Sequence, residues 1–330
     1  MSRIHPRTAL LLCAVALVAP GRATPSPVLL RVGTNRALGT VTPYVGKDKG
    51  YFASRGISLE LVDFQDGATL MEAFAAGEIE IAYVGITPSA IWQGRGLPLK
   101  VVAAANGGGH VLLTRADTGL TTVAQLRGRK VATPNAGTVT DTLFRAHIAR
   151  EVAHLDPEKD LTIIAGLPPA DMPAALFVSR GIDAAMTWEP FASQAEAQYQ
   201  GTRVLFDAAA EWRTQHPGAA LYPTNVVVAR QDLIDRRPDD LRRFLAAYEE
   251  TVRFMNEKPA EANEVIAKAV RLDVATVALA RRRIDYSVAV DSRAALQVLE
   301  WAKRLGYLRE LPQPAALFDP RFLPAGASAR

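Results

Sequence analysis

The sequence predicts an α/β protein of two lobes with a cleft between them, and three observations carry that prediction. From residue 28 onward strand-like and helix-like segments alternate, the pattern of layered α/β architecture. A unit of helix, glycine stop, acidic residue, buried strand and polar turn occurs once in each half, as FAAGEIEIAYVG at 74–85 and FVSRGIDAAMTW at 177–188. Between 231 and 306 the chain turns helical. With 330 residues, 49% of them hydrophobic and 22% charged, it is long enough to bury two cores without staples.

The elements follow in order. VLLRVG at 28–33 is a first strand and ends in Thr34, Asn35 and Arg36. A helix is expected over 41–54 with Arg55 and Gly56 as its stop, and ISLELVDF at 57–64 alternates as a second strand. A short helix over 67–76 carries Leu70, Met71 and Phe74 on one face and stops at Gly77. In GEIEIAYVGITPSAI at 77–91 a buried strand opens directly into a helix: Gly85 turns the backbone, Thr87 is placed to N-cap, and Pro88 to sit at the first helical position. That start leaves unpaired N–H groups and the hydroxyls of Thr87 and Ser89 beyond the strand's carboxyl end, where they either hold an anion or another acceptor, or merely cap. LKVVAAA at 99–105 is a further strand; Asn106, three glycines and His110 read as a loop, and VLLT at 111–114 leaves it.

The same grammar then restarts. KVAT at 130–133 is a strand, and Pro134 to Thr138 opens a helix over 139–153. LTIIAG at 161–166 is another strand, followed by a helix over 170–179, and the strand in 180–191 leads through Trp188 and Glu189 into a helix with Pro190 near its start. YPTNVVVA at 222–229 returns to strand character. After Pro238 a helix places Leu241, Phe244, Leu245, Tyr248 and Val252 at core spacing, and further helices fit 260–270, 274–284 and 292–305.

The amino terminus is of another kind. Arg3 and Arg7 precede an apolar run over 9–18, and Gly21 and Ala23 are the small residues of a cleavage site, so residues 1–23 read as a secretory signal. The single cysteine, Cys13, lies in that run behind Leu12, where a lipoprotein signal needs a small residue. The processed chain then has no thiol nucleophile, disulfide or cysteine metal site. Of 38 basic residues three fall in the signal, leaving 35 against 34 acids, so the basic pI is no argument for nucleic acid. HExxH, GxxxxGK[ST] and Ser-His-Asp arrangements are absent.

Seven segments, KDKGYFASRGISLELVDF, LMEAFAAGEIEIAYVG, GLPLKVVAAA, VAQLRGRKVATPNAGT, LPPADMPAAL, GIDAAMTWEPF and LRRFLAAYEETVRFMNEKPAEA, run in one order over 47–262. Together, in an order followed over about residues 30–322, they resemble the periplasmic substrate-binding proteins of ABC transporters, in the family that covers aliphatic sulfonates, taurine, nitrate and thiamine precursors. The resemblance implies a two-lobe, type II-like periplasmic-binding-protein fold with two crossing strands, expected at 110–114 and 222–229. Residues 24–112 and 224–330 would form lobe one and 113–223 lobe two. It also implies a monomeric, non-enzymatic periplasmic receptor without cofactor or metal, which captures a small solute and delivers it to an inner-membrane permease.

Carried over position by position, the ligand-facing candidates are Thr34, Asn35, Thr87, Ser89, Asn106, His110, Asn135, Gly137, Thr138, Trp188, Glu189 and Asn225. Each has a plain reading beside it. Trp188 is a ligand wall or a core tryptophan, Glu189 an acceptor or an acid at a helix start. Asp141 fits a helix's first turn without any ligand. His110 reads as structural, His147 and His154 as surface residues, and Arg36 as solvated. Helix starts in both lobes favour a sulfonate, nitrate or carboxylate held by neutral donors. Trp188, Tyr83 and Glu189 would instead suit a thiamine-precursor-like pyrimidine or an aromatic acid. An enzyme on the same fold, such as a pyrimidine synthase, is the other alternative, but its cysteine-rich motif has no counterpart here.

Overall fold

The computed structural model describes residues 26–322 apart from residue 66; the expected signal and Cys13 lie outside the described residues. Strands β1 (Val28–Thr34) and β2 (Ile57–Asp63) flank α1 (Thr42–Asp48). Then come α2 (Gly67–Ala76), β3 (Ile81–Gly85), α3 (Ile86–Gly94), β4 (Leu99–Gly108) and β5 (His110–Arg115). The middle of the chain supplies β6 (Lys130–Thr133), α4 (Val139–Thr142) running on as a π-helix (Leu143–Val152), β7 (Thr162–Ala165), α5 (Met172–Phe177), β8 (Ala184–Trp188), α6 (Phe191–Gln198), β9 (Thr202–Asp207) and α7 (Ala208–Gln215). Last come β10 (Pro223–Arg230), α8 (Gln231–Arg236), α9 (Pro238–Glu257), α10 (Pro259–Val270), α11 (Val274–Arg281), β11 (Ile284–Tyr286), α12 (Ser292–Arg304) and α13 (Pro314–Leu317).

These strands form two sheets. The first has the order β11-β4-β10-β3-β1-β2 and the second β7-β6-β8-β5-β9. In the first, β1 lies parallel to β2 and β3, while β10 runs antiparallel between β3 and β4. The second repeats the scheme, with β6 parallel to β7 and β8 and with β5 antiparallel to β8 and β9. The chain leaves the first sheet at Gly109 and returns over 208–222; the two stretches expected as crossings, 110–114 and 222–229, begin where these passages end.

Gly107 to Gly109 explain the first passage. A Cβ at Gly107 would lie 2.9 Å from the Leu221 carbonyl oxygen, and one at Gly108, whose φ is +72°, would lie 2.6 Å from that of Arg283. Backbone from both neighbouring segments therefore presses on positions where only glycine fits. The expected loop at 106–110 is thus corrected: Asn106 to Gly108 finish β4, paired with β10 and β11.

One face of the first sheet packs under α1, α9, α10 and α11 through Leu38, Val45, Phe244, Tyr248 and Ile266. The other face shares a single apolar cluster with the second sheet, in which Leu70, Phe74, Val84, Leu112, Val131, Phe144, Met186 and Val298 are buried together. Several boundaries differ from expectation. The helix expected over 41–54 ends at Asp48, because Gly50 turns the chain at a φ of +74° and only a 3-10 turn (Ala53–Arg55) follows. Strands β9 and β11 were not anticipated, since β9 is a half-buried edge without alternation and β11 is three residues long.

Candidate ligand-binding site

Strand-to-helix turns of both sheets face one cleft, because in each sheet the parallel strands end on the side where their following helices begin. The cleft is lined from the first sheet by Asn35, Gly39, Tyr83, Gly85, Asn106 and Asn225, among others, and from the second by His110, Thr138, Thr140, Trp188 and Glu189. The two sides touch: a Cβ at Gly85 would lie 3.2 Å from Val139 Cγ2, and one at Gly137 3.2 Å from Ile91 Cδ1.

The floor on the first side is an amide cluster. Asn225 Nδ2 donates to Asn106 Oδ1 at 2.8 Å, and Asn35 Oδ1 accepts from Thr40 Oγ1 at 2.7 Å. Gly39 closes over this pair, since a Cβ there would lie 2.6 Å from both Asn106 Oδ1 and Asn225 Nδ2. Beside them Tyr83 is 1% exposed, and its hydroxyl has no hydrogen-bond partner among the described residues. Burial pushes that phenol well above its ordinary range, so it stays a neutral donor.

On the opposite side Trp188, half-buried at the end of β8, meets Phe191 edge to face at 6.3 Å. Glu189 follows, buried, with Oε1 accepting from Arg283 Nη1 at 2.7 Å and from Ser193 Oγ at 3.0 Å, and Oε2 accepting from the Ser193 N–H at 3.0 Å. Burial raises its carboxyl, and Arg283 and Ser193 pull against that. Arg283 reaches Glu196 and Asp207 as well. Among the described residues that line the cleft, Glu189 is the only charged side chain, and its charge is already answered. His110 is buried with Nδ1 3.1 Å from the Tyr222 hydroxyl, and burial depresses it to about 3, so it is neutral.

The sequence candidates thus divide. Asn35, Asn106, His110, Thr138, Trp188, Glu189 and Asn225 line the cleft; Thr34, Thr87, Ser89, Asn135 and Gly137 are not among its lining residues. Thr34 Oγ1 is turned to Thr40, 3.0 Å away. Helix α3 begins at Ile86 with Gly85 as its N-cap, so Thr87 is not the cap and Pro88 is the third helical residue; the Thr87 hydroxyl is buried and has no partner among the described residues. Ser89 Oγ donates back to the Gly85 carbonyl at 2.9 Å, within its own helix. Asn135 accepts through its carbonyl from Thr138 Oγ1 at 2.9 Å, and Gly137 supplies a φ of +83° at the turn.

Thr138 Oγ1 gives its proton to Asn135 and accepts from the Asp141 N–H at 3.2 Å, which makes it the N-cap of α4. Thr138→Ala is therefore expected to lower stability by about 0.5–2 kcal/mol, read as a shift in the urea midpoint, with a smaller effect on ligand affinity. An affinity loss at unchanged stability would show that the hydroxyl leaves its cap to meet the ligand.

Other expectations are settled by contacts. Asp141 is fully buried between Thr133, Arg145 and Tyr307 and has no place in the cleft. His147 is corrected from a surface residue to a buried one: it stacks on Trp301 at 4.8 Å and bonds Glu151 and Glu211. His154 is exposed, as expected. Arg36 is paired with Asp63 and lies over Tyr44. The residues sequence reasoning missed are Gly39 and Arg283; neither carries a local motif, and each meets its partners only through long-range packing.

No helix among the described residues is long and apolar enough to cross a membrane, and none of their His, Cys, Asp and Glu side chains group as a metal site. A protein of Bacillus subtilis (strain 168) named for binding aliphatic sulfonates is 26% identical over 250 residues, which are 74% of this chain and 70% of the relative. Among solved structures, the ligand binding component of an ABC-type import system from Staphylococcus aureus superposes with a TM-score of 0.77 at 17% identity, covering 89% of this chain and 97% of the other. The periplasmic aliphatic sulphonate binding protein SsuA from Escherichia coli gives 0.69 at 24% identity, covering 87% and 95%. These likenesses establish the periplasmic-binding-protein fold. The sequence profile of the NMT1-like family matches residues 23–270, well over half of the chain, in agreement with the resemblance read from its ordered motifs: the protein belongs to the NMT1-like family.

Proposed function

We propose that the protein is a monomeric, non-enzymatic solute receptor of an ABC import system, exported to the periplasm, which captures a small anionic solute of the sulfonate, nitrate or carboxylate kind and hands it to a permease. The observation that carries this reading is a cleft lined from both sheets by neutral donors. Among the described residues its polar surface consists of amides, hydroxyls, the neutral His110 ring and helix starts, and the Glu189 carboxylate is already paired. The starts of α3 and α4 leave first-turn N–H groups without intrahelical partners beside Gly85 and beside Thr138, which suits an anion's oxygens. The names of the relatives support the sulfonate class. In this reading the segments that build the first sheet move as one lobe and those that build the second as the other, with Asn35, Asn106, Trp188 and Asn225 against the solute.

A thermal-shift screen of the purified chain against ethanesulfonate, taurine, nitrate, short carboxylates and neutral amides tests the proposal. A ligand at a hundred times its dissociation constant adds about 2.7 kcal/mol of stability, a clear upward shift. The expected result is a shift with a sulfonate, nitrate or carboxylate. Shifts confined to the neutral amides would overturn the anionic class, and turnover of a shifting compound would overturn the non-enzymatic reading.

A further inference from the structure

We propose that the Tyr83 hydroxyl is the donor that meets the ligand's polar head at the floor of the cleft, and so a specificity-determining group; the inference rests on the cleft being the solute site. Four tyrosines are buried in and around the first sheet, Tyr83, Tyr222, Tyr248 and Tyr286. Three have hydroxyl partners. Tyr248 donates to the Ala104 carbonyl at 2.6 Å, Tyr286 to the Leu38 carbonyl at 2.9 Å, and Tyr222 sits 3.1 Å from His110 Nδ1. Tyr83 alone of the four has none, and it is the one of them that lines the cleft. A buried polar group is almost always satisfied in a folded protein, so a buried hydroxyl at the cleft with no partner among the described residues is a donor free to meet a ligand acceptor.

The position is also held rigidly. Tyr83 lies in β3, paired with Val227 of β10 on one side of a strand that also pairs with β1. Its ring meets Tyr248 edge to face at 5.7 Å and 77°. The donor's direction is thus set before the ligand arrives, which lowers the ordering cost of binding. A phenol kept neutral by burial donates without bringing a charge, and a site built to bond an acceptor discriminates against a ligand that lacks one. Tyr83 therefore favours solutes whose head presents an oxygen acceptor at the floor, beside the amides of Asn106 and Asn225.

Tyr83→Phe tests this against Tyr248→Phe, whose hydroxyl is bonded to the protein and faces no ligand. Calorimetric titration with ethanesulfonate is expected to show about a tenfold weaker affinity for Tyr83→Phe and no comparable loss for Tyr248→Phe. Without ligand the order reverses: Tyr83→Phe keeps or raises the thermal midpoint, and Tyr248→Phe lowers it. Unchanged affinity in Tyr83→Phe would overturn the inference. So would a ligand-free midpoint that falls as far as that of Tyr248→Phe, which is measured whether or not any probe binds. If benzamide binds and ethanesulfonate, nitrate and the short carboxylates do not, the anionic class fails, yet a tenfold loss of benzamide affinity in Tyr83→Phe still supports the hydroxyl's role.

Discussion

Arg283→Met is expected to destabilise the protein by about 3–5 kcal/mol at pH 7. Arg283 stands between α11 and β11 in the part of the chain that builds the first sheet, yet all three of its carboxylate partners come from the second-sheet segment. Glu189 has a fully buried side chain 2.7 Å from Nη1, Glu196 Oε2 is also at 2.7 Å, and Asp207 Oδ2 is 2.9 Å from Nε. Removing the guanidinium leaves Glu189 in low dielectric with only Ser193 to answer it. The carboxyl, already raised by burial, rises further once the opposing cation is gone. A carboxyl whose folded pKa lies above its unfolded one favours the fold when protonated and works against it as pH rises through the folded value. The deficit of Arg283→Met is therefore larger at pH 8 than at pH 5, and adding Glu189→Gln restores part of the loss at pH 8. Urea midpoints of the three proteins at both pH values check this. A deficit independent of pH, with no rescue, would mean that Arg283 acts by packing and not by charge.

That ion-pair cluster also marks where the sequence stops being legible. Local patterns carried the architecture, because each pattern is decided within a dozen residues. The buried run from Ile81 to Val84, the Gly77 stop with φ of +80°, and the buried face of Leu241, Phe244 and Tyr248 all stand as read, whereas Ile79, expected in the same strand, precedes it. Turn chemistry placed Asn35, Trp188 and Glu189 at strand ends facing the cleft for the same reason. The cap of α3 lies two residues before the one expected: a Thr-Pro pair suits a helix start, but Gly85 had already begun the helix and Thr87 went inside. Arg283 and Glu189 lie 94 residues apart, and Gly39 meets Asn106 and Asn225 across three different elements. Nothing in their immediate neighbourhoods announces those contacts. Tyr83 shows the converse case. Its sequence context is that of any core tyrosine, and only the missing hydroxyl partner sets it apart from Tyr248 and Tyr286.

His110 is expected to make the protein acid-sensitive from about pH 6.5 downward, an onset above the range in which ordinary carboxylates titrate. The ring is 1% exposed, stacks on Tyr222 at 6.0 Å, and is depressed from 6.5 to about 3 by burial alone. Its strand partner across β8 is Trp188, and the neighbouring carboxylate, Glu189, is bound to Arg283 and gives the imidazolium no counter-ion. The folded pKa lies below the unfolded one, so the neutral form favours the fold: the contribution is complete above about pH 6.5 and is lost as pH falls from there toward 3. The slope is about 1.4 kcal/mol per pH unit and the whole effect roughly 4–5 kcal/mol. His147 works in the opposite direction. Desolvation lowers it, but its bonds to Glu211 and Glu151 prevail and leave it raised, so it adds stability below its unfolded value. Wild type alone would show the sum of the two. The difference between wild type and His110→Gln isolates His110, since every other group is common to both. Between pH 6 and 4 the stability advantage of wild type over the variant should shrink by about 2–3 kcal/mol, read from urea midpoints at each pH. Parallel curves over that range would show that His110 is protonated in the folded protein, and the cleft would then hold a cation ready to pair with an anionic solute.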